Sequence, residues 1–276
     1  MVVLLIFAYW FGSRFLASFL KRAVESFEPA SATPVIPLHI YQTWKTKKLP
    51  RRMQECVEKL KRMNPEFTHH LYDDADCEQF IRKHYGEDVA KAYTTLVPGA
   101  YKADLWRYCV LHQNGGIYLD IKYCNTDKCT LMDFVDKEYF VYDSTAVEST
   151  SKIGIYNGLM ICRPGNPKLG NCIQQIVKNV NSRFYGTNPL DITGPTLLVP
   201  YFSEDEVAEI RNELVYDNRT NTIRRNGVAL CKQYKGYYHS DNLGPRYDVL
   251  WNQRKIYTTD TQDAPPSTYP LDDPLG

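Results

Sequence analysis

The order of apolar and amphipathic segments along this chain predicts an α/β fold. Three observations lead to that prediction. Runs rich in aliphatic and aromatic residues, which are typical of strands, occur at 38–44 and 67–74. Segments with apolar residues three and four positions apart follow them, which is the helical spacing. A glycine pair then opens a third strand-like run at 115–120. Strands and helices that alternate in this way form a sheet flanked by helices.

The first strand and the first helix are predicted by a change of periodicity. "LHIYQTW" at 38–44 is a short strand, and Pro50 occupies the first position of a helix, where its missing N–H costs nothing. Asn64-Pro65 ends that helix. Its apolar face comprises Met53, Cys56, Val57, Leu60 and Met63.

The second half of the pattern repeats this order. "FTHHLYDD" at 67–74 is a strand, and Asp74 or Asp76 caps the helix that contains Phe80 and Ile81. A longer helix extends from about Gly99 to Gln113, where Asn114-Gly115 is a C-terminal stop. Residues 117–119 then form a strand that ends at Asp120.

Both ends of the chain differ from its middle. Residues 1–22 are apolar apart from Arg14 and a final Lys-Arg pair, and their length suits an N-terminal membrane anchor that crosses once. Arg14 leaves an interfacial helix as the alternative, and the basic pair leaves the orientation open. We expect a stem at 23–35, a folded domain at 36–258, and a flexible tail rich in Pro and Asp at 259–276.

Charge and cysteine content exclude several classes of protein. Lys and Arg total 33 against 32 for Asp and Glu, so no net field attracts the chain to nucleic acid. The eight cysteines include no CxxC pair, which argues against a structural zinc site. Cys124 and Cys129 either close a small loop in an oxidising compartment or are free thiols of the core. No P-loop, G-x-G-x-x-G or Ser-His-Asp order is present.

Asp120 is a candidate site residue because of its position. Ligands of α/β sheets collect at the carboxyl ends of strands, where Asp120 stands. Asp104 and Arg107 share one face of the preceding helix because they are three residues apart. A solvated ion pair is the alternative for this pair, but the apolar neighbours predict a buried helix, where an unpaired charge is costly. A functional role is therefore the better interpretation.

Five segments, in this order, resemble glycosyltransferase family 32, the sugar transferases that include the yeast initiating α-1,6-mannosyltransferase and the inositol-phosphoceramide mannosyltransferases. They are "IPLHIYQTWK", "NPEFTHHLYDDADCEQFI", "AYKADLWRYCVLHQNGGIYLDIK", "YNGLMICRPGNPKL" and "DITGP". The resemblance covers about residues 36–200. It implies a GT-A type fold with a Rossmann-like mixed sheet, and a catalytic domain that transfers a hexose from a nucleotide sugar with retention of configuration.

The family's D-x-D motif reads Asp120-Ile121-Lys122 in this chain. The resemblance implies that Asp120 meets the ribose, the donor sugar or a metal, while the second acid is missing. Either Mn²⁺ or Mg²⁺ is held by Asp120 with His239 or Asp241, or Lys122 faces the diphosphate as a fixed cation. Lys122 turned to solvent is a further alternative. The sequence slightly favours the metal.

Further roles follow from the resemblance, residue by residue. Trp44 matches the aromatic residue that stacks on the nucleobase, with a core tryptophan as its rival. Asp104 and Arg107 match the pair that grips donor-sugar hydroxyls and phosphate. Tyr118 is expected beside the diphosphate, and Asn157 at the sugar, unless Asn157 only forms a turn.

The implied partners are a nucleotide-sugar donor, GDP-mannose or a UDP-sugar, and a glycan or glycolipid acceptor. A Golgi or endoplasmic-reticulum membrane is the expected location in a eukaryote. Two other classes remain open. Lys122 leaves room for a catalytically silent module that binds a glycan or a nucleotide. A nucleotidyltransferase would need more acids near Asp120, and Asp127 is the nearest.

Overall fold

The structure is a computed structural model that describes residues 34–128, 130–144, 154–234 and 244–258. Strands and helices alternate through these residues, as the sequence predicts. The strands are β1 His39–Thr43, β2 Thr68–Tyr72, β3 Gly116–Leu119, β4 Tyr123–Asn125, β5 Tyr139–Asp143, β6 Gly154–Cys162, β7 Val215–Asp217, β8 Thr222–Arg225 and β9 Val228–Gln233. The helices are α1 Arg51–Met63, α2 Asp74–Thr95, α3 Gly99–Asn114, α4 Pro167–Asn181, α5 Pro195–Leu198, α6 Glu204–Glu213 and α7 Tyr247–Asn252.

The strands of the described residues form one mixed sheet in the order β2-β1-β3-β6-β5-β7-β8-β9-β4. Strand β1 lies parallel to both β2 and β3, whereas β6 is antiparallel to its neighbours β3 and β5. Strand β5 is parallel to β7, and the remaining pairs are antiparallel. The predicted α/β fold with a mixed sheet is therefore confirmed.

The sheet curls, because a short connection joins two strands, β3 and β4, that are far apart in the strand order. Strand β4 is the last strand of the sheet, yet only Asp120, Ile121 and Lys122 separate it from β3, the third strand. A connection this short spans at most about 14 Å. The curl is also visible in the core, where the hydroxyl groups of Tyr123 on β4 and Tyr156 on β6 lie 2.7 Å apart.

Helix α3 is buried along nearly its whole length, as its apolar neighbours predicted. The residues from Gly99 to Leu111 are all buried, and helices α2 and α4 pack against it. Gly115 ends the helix with a φ of +65°, and Gly116 follows with a φ of +104°. A Cβ at Gly115 would lie 2.6 Å from Cδ of Pro164, and one at Gly116 would lie 2.8 Å from the carbonyl oxygen of His39. The glycine pair is thus required to pass directly from α3 into β3.

The cap of helix α2 differs from the sequence expectation. Asp73, rather than Asp74 or Asp76, is the N-cap residue, and its side chain accepts a hydrogen bond from the backbone N–H of Asp76. The Asp76 side chain accepts in return from the Asp73 N–H, which completes a capping box. Because three aspartates lie within four positions, the sequence did not show which of them is the N-cap. The reciprocal hydrogen bonds identify Asp73.

Cys124 is paired with Cys56, not with Cys129. The disulfide joins helix α1 to strand β4 across a separation of 68 residues, with the two Cα atoms 4.9 Å apart. Cys129 lies outside the described residues. The alternative of a small loop closed by Cys124 and Cys129 is therefore wrong for Cys124.

The predicted anchor at 1–22, most of the stem and the tail at 259–276 lie outside the described residues. Within the described residues, no helix combines the length and the apolar character that crossing a membrane requires. Ile36, at the predicted start of the folded domain, is fully buried.

Candidate active site

Asp120 lies where the parallel strands β1, β2 and β3 end. It follows Leu119, the last residue of β3, and its backbone N–H donates to the carbonyl oxygen of Gly158 on β6 at 2.8 Å. Its side chain is 13% exposed, so the carboxylate is reachable from one side only. Asp120 therefore stands at the strand end where the sequence predicted it, and its contact with a ligand stays a prediction.

Helix α3 brings Arg107 onto this carboxylate. Nη2 of Arg107 lies 3.3 Å from Oδ1 of Asp120 and 3.3 Å from Oδ1 of Asp104. Nη1 donates to the carbonyl oxygen of Asn157 at 2.8 Å, and the guanidinium carbon lies 4.4 Å from the centre of the Tyr118 ring. The stacking contact and the polar contacts together hold the Arg107 guanidinium in one orientation.

Lys122 approaches Asp120 from the other side. Its Nζ lies 3.2 Å from Oδ2 of Asp120, while the Tyr118 hydroxyl donates to Oδ1 at 2.7 Å. The Lys122 side chain is 3% exposed. We call Asp104, Arg107, Asp120 and Lys122 the charge cluster. The alternative in which Lys122 points to solvent is wrong.

The two carboxylates of the charge cluster differ in their proton affinity. Burial alone raises the pKa of Asp120, but the charges of Arg107 and Lys122 and the Tyr118 hydrogen bond hold that pKa below its ordinary range. At Asp104 burial is the larger effect, and it raises the pKa to about 6 although Arg107 and the Thr193 hydroxyl favour the ionised form. Asp104 is therefore the group of the cluster that changes charge near neutral pH.

Asp104 accepts hydrogen bonds from residues in two other parts of the chain. The Thr193 hydroxyl donates to Oδ2 at 2.7 Å, and Nδ2 of Asn157 donates to Oδ1 at 2.9 Å. Tyr108 closes the network, because its hydroxyl donates to the carbonyl oxygen of Thr193 at 3.0 Å and lies 2.9 Å from Nδ2 of Asn157. Neither Thr193 nor Tyr108 was predicted as a site residue. The "DITGP" segment that contains Thr193 was the available signal.

The predicted site residues fall into three groups. Asp104, Arg107, Tyr118, Asp120, Lys122 and Asn157 come together. Trp44 is only 3% exposed and packs with Met53, Val57 and Ile121, so its contact with a nucleobase stays a prediction. His239 and Asp241 lie outside the described residues, and their roles stay predictions as well.

The described residues do not fit a divalent metal at Asp120. Both carboxylate oxygens are already engaged, Oδ2 by Lys122 and Oδ1 by Tyr118 and Arg107. A metal on Oδ2 would lie beside the Lys122 ammonium, and a divalent cation 4 Å from a unit positive charge is repelled by roughly 8 kcal/mol at an effective dielectric constant of about 20. The described part of the chain also brings together no three His, Cys, Asp or Glu side chains suited to an ion.

Comparison with known proteins supports the resemblance. Residues 50–139, which contain α3, β3 and Asp120, match the family described as "Glycosyltransferase sugar-binding region containing DXD motif". The initiation-specific alpha-1,6-mannosyltransferase of Candida albicans is 34% identical over 99 residues, which are 34% of this chain and 26% of that protein. The inositol phosphoceramide mannosyltransferase 2 of Schizosaccharomyces pombe is 28% identical over 246 residues, 84% of this chain and 66% of that protein.

The chain thus spans about a quarter of the first relative and just under two thirds of the second. Among solved structures, the PaToxG glycosyltransferase is similar with a TM-score of 0.48 and 16% identity, over 70% of this chain and 81% of that one. The sequence matches confirm the resemblance to the DXD sugar transferases. If the motif named in that description stands at 120–122, where the sequence resemblance puts it, Lys122 occupies the position of the second acid.

Proposed function

We propose that this chain is a GT-A type glycosyltransferase that moves a hexose, with retention, from a nucleotide sugar to a glycan or glycolipid acceptor. The observation that carries the proposal is the charge cluster itself. Arg107 lies on the buried helix α3, and Lys122 lies in the turn between β3 and β4. Both contact Asp120 at the carboxyl ends of three parallel strands. Two fixed cations beside a carboxylate at that edge suit a sugar diphosphate.

Each member of the cluster has a chemical task in this proposal. Arg107 binds phosphate oxygens of the donor, and Tyr118, which holds its guanidinium by stacking, lies beside the diphosphate. Asp104, 11% exposed at its side chain, accepts hydrogen bonds from sugar hydroxyls through its remaining lone pairs. Asn157 sets the orientation of Asp104 and borders the sugar. Trp44 stacks on the nucleobase after a local displacement that exposes its ring.

The transfer exchanges one bond at the anomeric carbon for another. The bond from that carbon to the phosphate oxygen breaks, and its electron pair stays on the diphosphate. A bond to the acceptor hydroxyl oxygen forms, and the acceptor proton leaves with the nucleoside diphosphate. The developing negative charge arises on the diphosphate, so fixed cations that face it lower the barrier.

Mannose is the first donor sugar to test, because both relatives are named mannosyltransferases. A glycan and inositol phosphoceramide are the acceptors to test with it. Mn²⁺ held by Asp120 together with His239 or Asp241 is the alternative source of positive charge, and it requires Lys122 to leave Asp120 first.

The alternative function is a catalytically silent module that binds a nucleotide or a glycan. Lys122 favours it, because the sequence resemblance puts the second acid of the DXD motif at that position. Thermal unfolding of the purified chain with GDP-mannose, UDP-glucose and other nucleotide sugars, each in Mn²⁺ or in EDTA, identifies a donor, since a ligand that binds the folded state raises the melting temperature. Release of free sugar or its transfer to an acceptor from that donor supports the enzyme. Binding without either reaction supports the silent module.

A location on a secretory membrane completes the proposal. The Cys56–Cys124 disulfide is suited to an oxidising lumen. Residues 1–22 would anchor the chain in the Golgi or endoplasmic-reticulum membrane. Extraction of membranes at alkaline pH tests the anchor: the full chain should stay with the lipid, and a chain that begins at residue 23 should be released.

A further inference from the structure

Lys122 reverses the charge at one position of the motif. The family description names a DXD motif, with an acid at each end, and the sequence resemblance puts that motif at Asp120-Ile121-Lys122, where this chain has an acid and then a base. An aspartate there would carry one negative charge, and the ammonium carries one positive charge. The exchange changes the local charge by two units, which is the charge that one divalent cation brings.

The fold holds this ammonium in a fixed place. The turn between β3 and β4 is closed by the Tyr123 N–H, which donates to the Asp120 carbonyl oxygen at 3.0 Å. The Lys122 carbonyl oxygen accepts from the Tyr234 N–H at 3.1 Å, which ties the turn to the end of β9. The Lys122 side chain is buried and its Nζ lies 3.2 Å from Asp120 Oδ2. A surface lysine adopts many side-chain conformations, whereas burial and the ion pair hold the Lys122 side chain in one of them.

The charge cluster is balanced without a metal. Arg107 and Lys122 offset the ionised forms of Asp104 and Asp120, and the two cations stand on opposite oxygens of Asp120. A cluster with a third carboxylate at 122 would be strongly acidic and would need a cation before it accepted a diphosphate. In the observed cluster the Lys122 ammonium supplies that positive charge.

We infer that Lys122 takes the electrostatic role of the divalent cation, so that this chain binds and cleaves a nucleotide sugar without metal. The inference rests on the proposed glycosyltransferase function and concerns the same site. The Lys122 ammonium contacts the donor diphosphate while it stays paired with Asp120. When the bond between the anomeric carbon and the phosphate oxygen breaks, the electron pair remains on that oxygen, where Lys122 and Arg107 balance its charge.

Equilibrium binding tests this inference separately from catalysis. The full chain is titrated calorimetrically with GDP-mannose and with UDP-glucose, once after exhaustive dialysis against EDTA and once in Mn²⁺. The dissociation constant of the parent for the sugar nucleotide that binds should agree within about twofold between the two conditions. Lys122→Met should weaken binding by roughly ten- to a hundredfold in both, which is the usual effect of one hydrogen bond to a charged group.

Two further variants sharpen the comparison. Lys122→Asp, which restores the second acid, should bind weakly in EDTA and recover in Mn²⁺. Lys232→Met is the matched control, because Lys232 is an exposed lysine on the neighbouring strand β9 and its loss should leave binding unchanged. If Lys122→Met does not fold, as judged by its thermal unfolding, the parent and Lys122→Asp still decide the question.

The inference is overturned if the parent binds its donor only in Mn²⁺, or if folded Lys122→Met binds as the parent does. Failure of the proposed function has a different signature: a folded parent that binds none of the nucleotide sugars in either condition.

Discussion

Nη2 of Arg107 and Oδ1 of Asp120 lie 3.3 Å apart, and this contact links the buried helix α3 to the end of strand β3. The glycine pair at 115 and 116 makes the contact possible, because it lets the chain reverse from helix to strand without a loop. The Arg107 guanidinium also binds the Asn157 carbonyl oxygen on β6. One side chain thereby fixes a helix and two strands at the ligand edge.

Asp120→Asn should reduce sugar transfer by roughly a hundredfold or more, because the neutral amide no longer holds Arg107 and Lys122 in register with the donor. The variant should stay folded, since the amide has the same shape as the carboxylate. Transfer rates and thermal unfolding measured together check both parts. Asp127→Asn is the matched control, because the Asp127 side chain is 86% exposed and forms a salt bridge with Lys59 on helix α1. Equal rates for parent and Asp120→Asn would remove Asp120 from the site.

Donor binding should strengthen as pH rises through about 6, because only the ionised form of Asp104 keeps every lone pair of its two oxygens available as a hydrogen-bond acceptor. A nucleotide sugar is the right probe, since its diphosphate is esterified at both ends and keeps its charge in this range. Calorimetric titration from pH 5 to 8 gives the midpoint. Asp104→Asn should bind more weakly and lose the dependence, and a flat profile for the parent would contradict the assignment.

The same group predicts a pH effect on stability with the opposite sign. The folded pKa of Asp104 lies above the ordinary value of 3.8, so its contribution to stability is complete below about pH 4 and is lost as pH rises through about 6. The loss amounts to roughly 3 kcal/mol, because the folded pKa exceeds the ordinary one by about two. Denaturant unfolding of the parent and of Asp104→Asn at pH 4 and pH 7 should give a smaller fall in stability for the variant.

Thr193→Val should move the midpoint of donor binding to higher pH, because it removes a hydroxyl that donates to Asp104 at 2.7 Å and favours the ionised form. Thr193→Ser should restore the midpoint, which a purely structural role for the methyl group would not predict. Thr196→Val is the control: Thr196 donates to Asp191 instead, at 2.8 Å. An unchanged midpoint in Thr193→Val would mean that Thr193 does not position Asp104.

Local patterns were enough to predict the part of the site that lies on consecutive elements. The spacing of Asp104 and Arg107, the glycine stop and the apolar strand before Asp120 all fall within 17 residues of the chain, and each is a short-range consequence of helix or strand geometry. The structure confirms the helix, the strand and their junction. The contact of both cations with one carboxylate follows from that junction.

Contacts between distant segments were not predictable in this way. Thr193 reaches Asp104 across 89 residues, and β4 pairs with β9 although it follows β3 directly. Both depend on how the sheet curls, and no local periodicity encodes strand order. The curl of the sheet also explains why the disulfide pairing was not predicted. Proximity along the chain suggested Cys129 as the partner of Cys124, whereas the curl brings Cys56 to it.

The Cys56–Cys124 disulfide should stabilise the fold and the turn that carries Lys122. The bridge closes a loop of 68 residues, for which the chain-entropy estimate is about 4 kcal/mol. Since Cys124 follows Lys122 by two residues, its release from α1 should also loosen the ammonium and weaken donor binding.

Reduction with dithiothreitol should therefore lower the melting temperature of the parent by roughly 10 °C. The Cys56→Ala/Cys124→Ala double variant should melt near the reduced parent and should not respond to dithiothreitol, which separates this bridge from effects on the other thiols. A parent whose melting temperature and donor affinity are the same in the oxidised and reduced states would show that the bridge supports neither the fold nor the site.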